Sequence, residues 1–280
     1  MMLTVCESLQ KSAIYWTRDF WLEHADKRVL DHWATKNGLI SALTLIVLYL
    51  SLVQILLPHW MQKRPAMSLK PVLIAYNTFM SLVNFALFLW FLVLSRGGRE
   101  LFNLVAPSES DTSAQQMSMI RFTELFLVTK FLDLLDTVFI VLRKKGDQKN
   151  FLHLYHHSIV PIVLSVSFML YPTGMTLGIF AFVNTFTHSV MFAYYGCAAI
   201  GPSMRPYLWW KRYITQLQII QFFIFIFFAI AYGTISTGYS MAYVWIGISQ
   251  SPLFAFLFIR FYLQSYKQNN VLTEDRLKVK

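Results

Sequence analysis

The sequence predicts an all-α, polytopic integral membrane protein with seven transmembrane helices and its reactive groups inside the helical bundle. Three observations lead there. Of 280 residues, 56% are hydrophobic and only 14% are charged, against about 25% charged in a soluble domain. Aromatic residues reach 17%, with 25 Phe, an excess suited to helices that face lipid as well as each other. Finally, seven stretches have the roughly 20 mostly apolar residues that a helix needs to cross a bilayer core of about 30 Å.

In chain order the spans are Gly38–Leu57, Val72–Leu94, Met117–Leu142, Phe151–Tyr171, Gly174–Ala199, Leu208–Tyr232 and Met241–Leu263. The third and fourth carry polar residues; the other five are plainly apolar. Turn residues punctuate the short connections: Pro58, Pro65 and Pro71, Gly97, Gly98 and Pro107, Pro172, and Gly201, Pro202 and Pro206. No internal repeat is visible, which argues against a duplicated carrier. The chain thus divides into a non-cytosolic segment over residues 1–37, a seven-helix domain over 38–263 and a cytosolic tail over 264–280. Residues 1–37 mix charges and aromatics without the apolar core of a signal peptide, so the first span directs insertion.

The net charge of +10 raises nucleic acid as a partner in a soluble protein. Here the basic residues lie between apolar stretches, so they read as topology signals and no nucleic acid is expected. One side holds Lys63, Arg64 and Lys70; Arg143, Lys144, Lys145 and Lys149; Arg205, Lys211 and Arg212; and Lys267, Arg276, Lys278 and Lys280. The other holds half as many: Lys11, Arg18, Lys27, Arg28, Lys36, Arg96 and Arg99. The positive-inside rule therefore places the N-terminus outside (lumenal) and the C-terminus in the cytosol. Two cysteines, Cys6 and Cys197, build neither a disulfide framework nor a cysteine metal site.

Charged groups at mid-bilayer cost at least about 2.5 kcal/mol, so those within the spans need a reason. Span three carries Glu124, Lys130, Asp133 and Asp136; the last three, at i, i+3 and i+6, meet on one broad face. They read either as a structural ion pair or as part of a site. Span four opens with His153, His156 and His157, which share a helical arc of about 100°. Pro161, four residues after His157, frees the His157 carbonyl beside them. Span five carries Asn184, His188, Met191 and Tyr195 on one stripe, and span six carries Thr215, Gln218 and Gln221 at i, i+3 and i+6. These amides and the histidine fit a site, or interhelical hydrogen bonding. His24, His32 and His59 lie outside the spans and read as interfacial residues.

Four membrane histidines point to two enzyme classes. A di-iron desaturase or hydroxylase needs about eight histidine ligands by resemblance to that family, and four leave it under-supplied even with carboxylates added. Acyl transfer needs only imidazoles as nucleophile, base and carbanion stabiliser, with no metal. A seven-helix receptor or carrier is the non-enzymatic alternative, and nothing in a receptor requires three histidines on one face.

Four segments in order settle on one resemblance: Lys130-Phe-Leu-Asp133-Leu-Leu-Asp136-Thr137, His153-Leu-Tyr-His156-His157, Asn184-Thr-Phe-Thr-His188-Ser-Val-Met191-Phe192-Ala-Tyr194-Tyr195, and Thr215-Gln-Leu-Gln218-Ile-Ile-Gln221. They resemble the motifs of the ELO family of very-long-chain fatty acid elongases. Two positions depart from it: Asp133 stands where the family usually has Glu, and Phe192 where it has Tyr. Gln148, five residues before His153, resembles the branch that handles polyunsaturated and very-long saturated chains.

The resemblance implies condensation of a long- or very-long-chain acyl-CoA with malonyl-CoA, giving a 3-oxoacyl-CoA two carbons longer with release of CO2 and CoA. It implies catalytic roles for His153, His156, His157, His188, Asn184, Lys130, Asp133 and Asp136, with His156 as the acyl-accepting nucleophile and His188 as its nearest partner. Gln218, Gln221, Met191 and Tyr195 would serve the substrate, and Lys144, Lys145, Lys211 and Arg212 the CoA phosphates. No bound cofactor or metal is expected. Further expected partners are membrane lipid, the 3-oxoacyl-CoA reductase of the elongation cycle and a second copy of the chain. Lys278, third from the end, resembles a dilysine retrieval signal and points to the endoplasmic reticulum membrane.

Overall fold

The computed structural model describes residues 2–267. The tail residues Arg276, Lys278 and Lys280, on which the retrieval-signal expectation rests, lie outside them. The described chain is helical, and its only extended pairing among those residues is an isolated bridge between Val105 and Thr237. In chain order the main helices are α1 (Met2–Ile14), α2 (Ile40–Met61), α3 (Lys70–Leu94), α4 (Ala114–Leu132), α5 (Leu135–Leu142), α6 (Phe151–Leu170), α7 (Met175–Ile200), α8 (Lys211–Ile235) and α9 (Met241–Tyr262). Six of the predicted spans are helices long and apolar enough to cross a membrane: α2, α3, α6, α7, α8 and the segment Tyr243–Tyr266.

The third predicted span, Met117–Leu142, is divided. α4 ends at Leu132 and α5 begins at Leu135, and the junction is held by i→i+3 bonds from Leu134 N to Phe131 O, Asp136 N to Asp133 O and Thr137 N to Leu134 O. Such bonds tighten the coil toward three residues per turn. The i, i+3, i+6 spacing of Lys130, Asp133 and Asp136 is then brought more nearly onto one line than a regular α-helix would bring it.

The chain forms two compact units. The first comprises the residues up to Ser68 together with Ala106–Gly178; the second comprises Leu69–Val105 together with the residues from Ile179 onward. In the first, α6 packs against α4 and α2, and the end of α2 packs against α5. The α2 stripe Ala42, Ile46, Tyr49 and Val53 is buried, whereas Leu45, Val47, Leu48, Leu52, Ile55 and Leu56 are exposed. One face thus serves the core and the other suits lipid. Near its end α2 widens into a π-turn over Leu52–Leu56, just ahead of Pro58. Proline has no N–H for the helix ladder, and such local loosening is its usual consequence.

The N-terminal segment is built into this unit. Asp26 and Arg28 form a buried bidentate pair, with Arg28 Nη2 2.6 Å from Asp26 Oδ2 and Nε 3.0 Å from Oδ1. Arg28 also donates to the Asp111 carbonyl and to Thr173 Oγ1. His32 Nε2 meets Glu124 Oε1 at 2.8 Å, so His32 is more than the interfacial residue expected from sequence. Gly38 has φ +58, and a Cβ there would lie 2.6 Å from the Arg18 Cα. Only glycine lets the helix entry come so close to the preceding backbone.

In the second unit α3 buries Leu73, Asn77, Met80, Asn84, Leu87, Phe91 and Leu94. The two asparagines return their amide donors to carbonyls four residues back, Asn77 to Leu73 and Asn84 to Met80. That satisfies the amide donors in a stripe otherwise made of apolar side chains, while Asn84 Oδ1 has no hydrogen-bond partner among the described residues. α8 packs along α9, with Phe222 against Phe254 and Phe258.

Candidate active site

The predicted site residues divide between the two units. In the first unit, Asn150 caps α6, its Oδ1 accepting the His153 backbone N–H at 2.9 Å. An asparagine at this position satisfies one of the orphan donors of the first turn. It also fixes where the histidine face begins. His153, His156 and His157 are all half-buried. The His153 and His157 rings stack with centroids 4.1 Å apart, and His156 and His157 lie 5.5 Å apart at an interplanar angle of 55°. The shared arc predicted from spacing is therefore a contiguous imidazole surface.

One end of that surface is tied down by hydroxyls. His153 Nε2 lies 2.8 Å from Thr137 Oγ1, which lies 2.7 Å from the Tyr49 hydroxyl. Thr137 is fully buried and Tyr49 nearly so. Each hydroxyl has one proton to give and two lone pairs with which to accept, so Thr137 either donates to His153 Nε2 or accepts from its N–H, and the Tyr49 hydroxyl holds Thr137 from behind. Tyr49 was missed from sequence; its one signal was membership of the buried α2 stripe.

Lys130 and Asp133 are buried and form an ion pair, Nζ to Oδ2 2.9 Å. The Lys130 ammonium also lies 5.2 Å from the centre of the Phe126 ring, an arrangement that favours the cation. Asp136 is half-buried on the first turn of α5.

In the second unit, Asn184, His188 and Met191 are buried along α7, as their stripe predicts, whereas Tyr195 is 43% exposed. The His188 ring lies 5.8 Å from Phe192, and Phe192 meets Tyr76 edge-on at 5.8 Å. Phe192 is itself fully buried. The Gln218 amide lies 3.3 Å from Met191 Sδ, which ties α8 to α7. Gln221 is buried, and its Oε1 has no hydrogen-bond partner among the described residues. Such an acceptor is costly to leave empty, and a polar ligand or water is its natural complement.

Of the predicted phosphate-binding cations, Lys144, Lys145, Lys211 and Arg212 are exposed at the ends of helices. Arg212 stacks on Tyr213 with its guanidinium carbon 4.7 Å from the ring centre. Among the described residues no group of three or more His, Cys, Asp or Glu side chains is disposed to hold a metal ion.

Known proteins are similar to this chain over most of its length. The model of the ELO family, described as the GNS1/SUR4 family, matches residues 35–274. A rat protein named very long chain fatty acid elongase 7 is 33% identical over 260 residues, covering 91% of this chain and 90% of its own. A macaque (Macaca mulatta) very long chain fatty acid elongase 4 is 34% identical, covering 87% of this chain and 76% of its own. Human very long chain fatty acid elongase 1 is 36% identical over 203 residues, covering 72% and 71%.

Proposed function

The chain belongs to the ELO (GNS1/SUR4) family, so it is a condensing enzyme of fatty acid elongation, and we propose how its residues carry that reaction. The substrates are a long- or very-long-chain acyl-CoA and malonyl-CoA. A nitrogen of His156 attacks the thioester carbonyl; the C–S bond breaks and the CoA thiolate leaves, taking up a proton. Malonyl-CoA then loses CO2 to give an enolate, whose carbon attacks the acyl-imidazole carbonyl. The C–N bond breaks, His156 is restored and the 3-oxoacyl-CoA carries two more carbons. An acyl-imidazole is activated enough for this second transfer.

The other residues divide the remaining work. His153 and His157 surround the nucleophile and move its protons. His188 and Asn184 stabilise the negative charge that develops on the thioester oxygen and the enolate. The Lys130–Asp133 pair and Asp136 hold the polar ground beneath the histidines. Met191, Gln218, Gln221 and Tyr195 contact substrate, and Lys145, Lys211 and Arg212 meet the CoA phosphates. Lys144, expected from sequence to join them, lines a cavity with Pro58, Met61, Ile140, Val141 and Lys149. The chemistry as written uses no metal or bound cofactor, and activity is expected to survive stripping of iron and zinc. We place the enzyme in the endoplasmic reticulum membrane with its C-terminus cytosolic, where it would hand product to a 3-oxoacyl-CoA reductase, as a single copy or a homo-oligomer.

The observation that carries this reading is the half-buried surface of three histidines on α6, anchored through Thr137, in a chain matched by the family over most of its length. The test is product analysis with membranes expressing the chain, a panel of acyl-CoAs and labelled malonyl-CoA. A labelled 3-oxoacyl-CoA two carbons longer is expected. Desaturated or hydroxylated product without label would return the histidines to the oxygenase reading.

A further inference from the structure

The ends of α2 and α5 in the first unit border an open cavity of about 320 Å³. Pro58, Met61, Ile140 and Val141 form apolar walls, and Gln62, Gly146 and the two cationic residues Lys144 and Lys149 complete the lining. Its level relative to the membrane is marked by Trp60, which is 44% exposed and carries the Arg64 guanidinium 3.9 Å over its ring. Amphipathic aromatics paired with cations are the usual occupants of the headgroup layer. The outward residues just before it, Ile55 and Leu56, are exposed and apolar. The cavity therefore opens where lipid chains give way to headgroups.

Its charge is unbalanced. Neither Lys144 nor Lys149 forms an ion pair among the described residues, and Asp147, in the same loop, pairs with neither. Lys149 is held by neutral acceptors, with Nζ 3.2 Å from the Val53 carbonyl and 3.5 Å from Gln54 Oε1. Those groups belong to the π-turn that Pro58 follows. Lys144 occupies a left-handed position, φ +54. It closes α5 with its own N–H on Val141 O, while the Lys145 N–H reaches Ile140 O. That closing motif favours glycine; here it holds a lysine whose side chain lines an apolar cavity.

Apolar walls with an uncompensated pair of ammonium groups at headgroup level complement an anionic amphiphile. We propose that this cavity binds a membrane phospholipid with an anionic headgroup, its phosphate on Lys144 and Lys149 and its first methylenes against Pro58, Met61, Ile140 and Val141. The volume lies at the small end of ligand cavities. It suits a headgroup and the start of a chain, and it is too small for the nucleotide and pantetheine arm of a CoA thioester together. The site is distinct from the histidine surface but not isolated from it. Val53, whose carbonyl Lys149 holds, lies one turn beyond Tyr49, which bonds Thr137 and through it His153.

Native mass spectrometry of the purified full-length protein tests this without any turnover. The protein is delipidated and titrated with phosphatidylinositol or phosphatidylcholine. Selective retention of phosphatidylinositol is expected, weakened roughly fivefold by Lys144→Ala and restored by Lys144→Arg. Gly146→Leu removes no charge, and a Cβ at Gly146 meets nothing within 4 Å. The added side chain is expected to crowd the cavity and lower phosphatidylinositol occupancy while leaving the thermal midpoint unchanged. Saturating CoA is expected to leave the lipid in place. Equal retention of the two lipids, or undiminished binding by Gly146→Leu, would overturn the proposal. So would displacement by CoA, which would make the cavity part of the substrate site.

Discussion

Thr137 Oγ1 stands 2.8 Å from His153 Nε2, and Tyr49 stands 2.7 Å behind Thr137. The first histidine of α6 is thus held from two other helices by buried hydroxyls. Removing a buried partner leaves the remaining group unsatisfied, at a cost of about 1–3 kcal/mol. Tyr49→Phe is expected to lower kcat roughly tenfold, since 1.4 kcal/mol is a factor of ten, with KM for acyl-CoA little changed. Thr137→Val is expected to do more, because it severs the bond to the imidazole itself. Steady-state kinetics beside a thermal melt checks this. A lower melting temperature at unchanged kcat would leave Tyr49 with a packing role alone.

The Lys130–Asp133 pair invites a contrast between two substitutions. Asp133→Asn keeps the shape and strands a buried ammonium, a change that typically costs about 3–5 kcal/mol. Asp133→Glu keeps the charge and supplies the residue the family usually has. Asn is expected to abolish product and lower yield of folded protein, while Glu retains most activity. Elongation assays on protein matched for folded amount decide it, and equal activity in both would reduce the pair to packing.

The N-terminal segment carries a stability prediction. Asp26→Ala leaves Arg28 buried without its carboxylate, and Gly38→Ala drives a Cβ into the Arg18 backbone. Each is expected to destabilise the fold by at least about 2 kcal/mol, read as a lower thermal midpoint in detergent. Lys11→Ala, on an exposed position of α1, is the control expected to change little.

What was legible in the sequence follows a physical divide. The six apolar spans are visible because lipid-facing helices must be apolar along about 20 residues. The histidine face was visible too, because spacing on a helix fixes direction. The division at Asp133–Leu134 was not, since the i→i+3 bonds that make it leave no mark in composition. Nor was the role of His32 or Tyr49. Each is explained by a partner far along the chain, Glu124 for one and Thr137 for the other, and single-sequence spacing carries no information about such pairs. Tyr195 shares the stripe of Asn184, His188 and Met191 yet is 43% exposed, because spacing fixes direction on a helix but not how far the neighbouring helices extend along it.

The orientation of the chain is open to direct measurement. The loop from Arg143 to Asn150 carries Arg143, Lys144, Lys145 and Lys149, and positive loops stay cytosolic. A glycosylation acceptor inserted there is expected to remain unmodified in microsomes, while one placed before Lys11 is expected to be glycosylated. Efficient modification of the 143–150 loop would invert the topology.

The nucleophile itself is the sharpest prediction. Neither Cys6, exposed on α1, nor Cys197, near the end of α7, lies on the histidine helix, so the acyl group needs another carrier. Among the three histidines, His153 has Nε2 engaged with Thr137 and stacks on His157; both features suit a supporting role. His156 lies on the same face, its ring 5.5 Å from that of His157, and it is the position to which the family resemblance assigns the acyl group. Incubation with acyl-CoA alone, without malonyl-CoA, is expected to release one equivalent of CoA and leave an acyl group on the peptide containing His156, detected by mass spectrometry. Malonyl-CoA added afterwards is expected to discharge that adduct as 3-oxoacyl-CoA. His156→Ala is expected to lose both adduct and CoA release while folding normally by thermal melt. Full CoA release by that variant, or an adduct on His153, His157 or His188, would move the nucleophile to another imidazole.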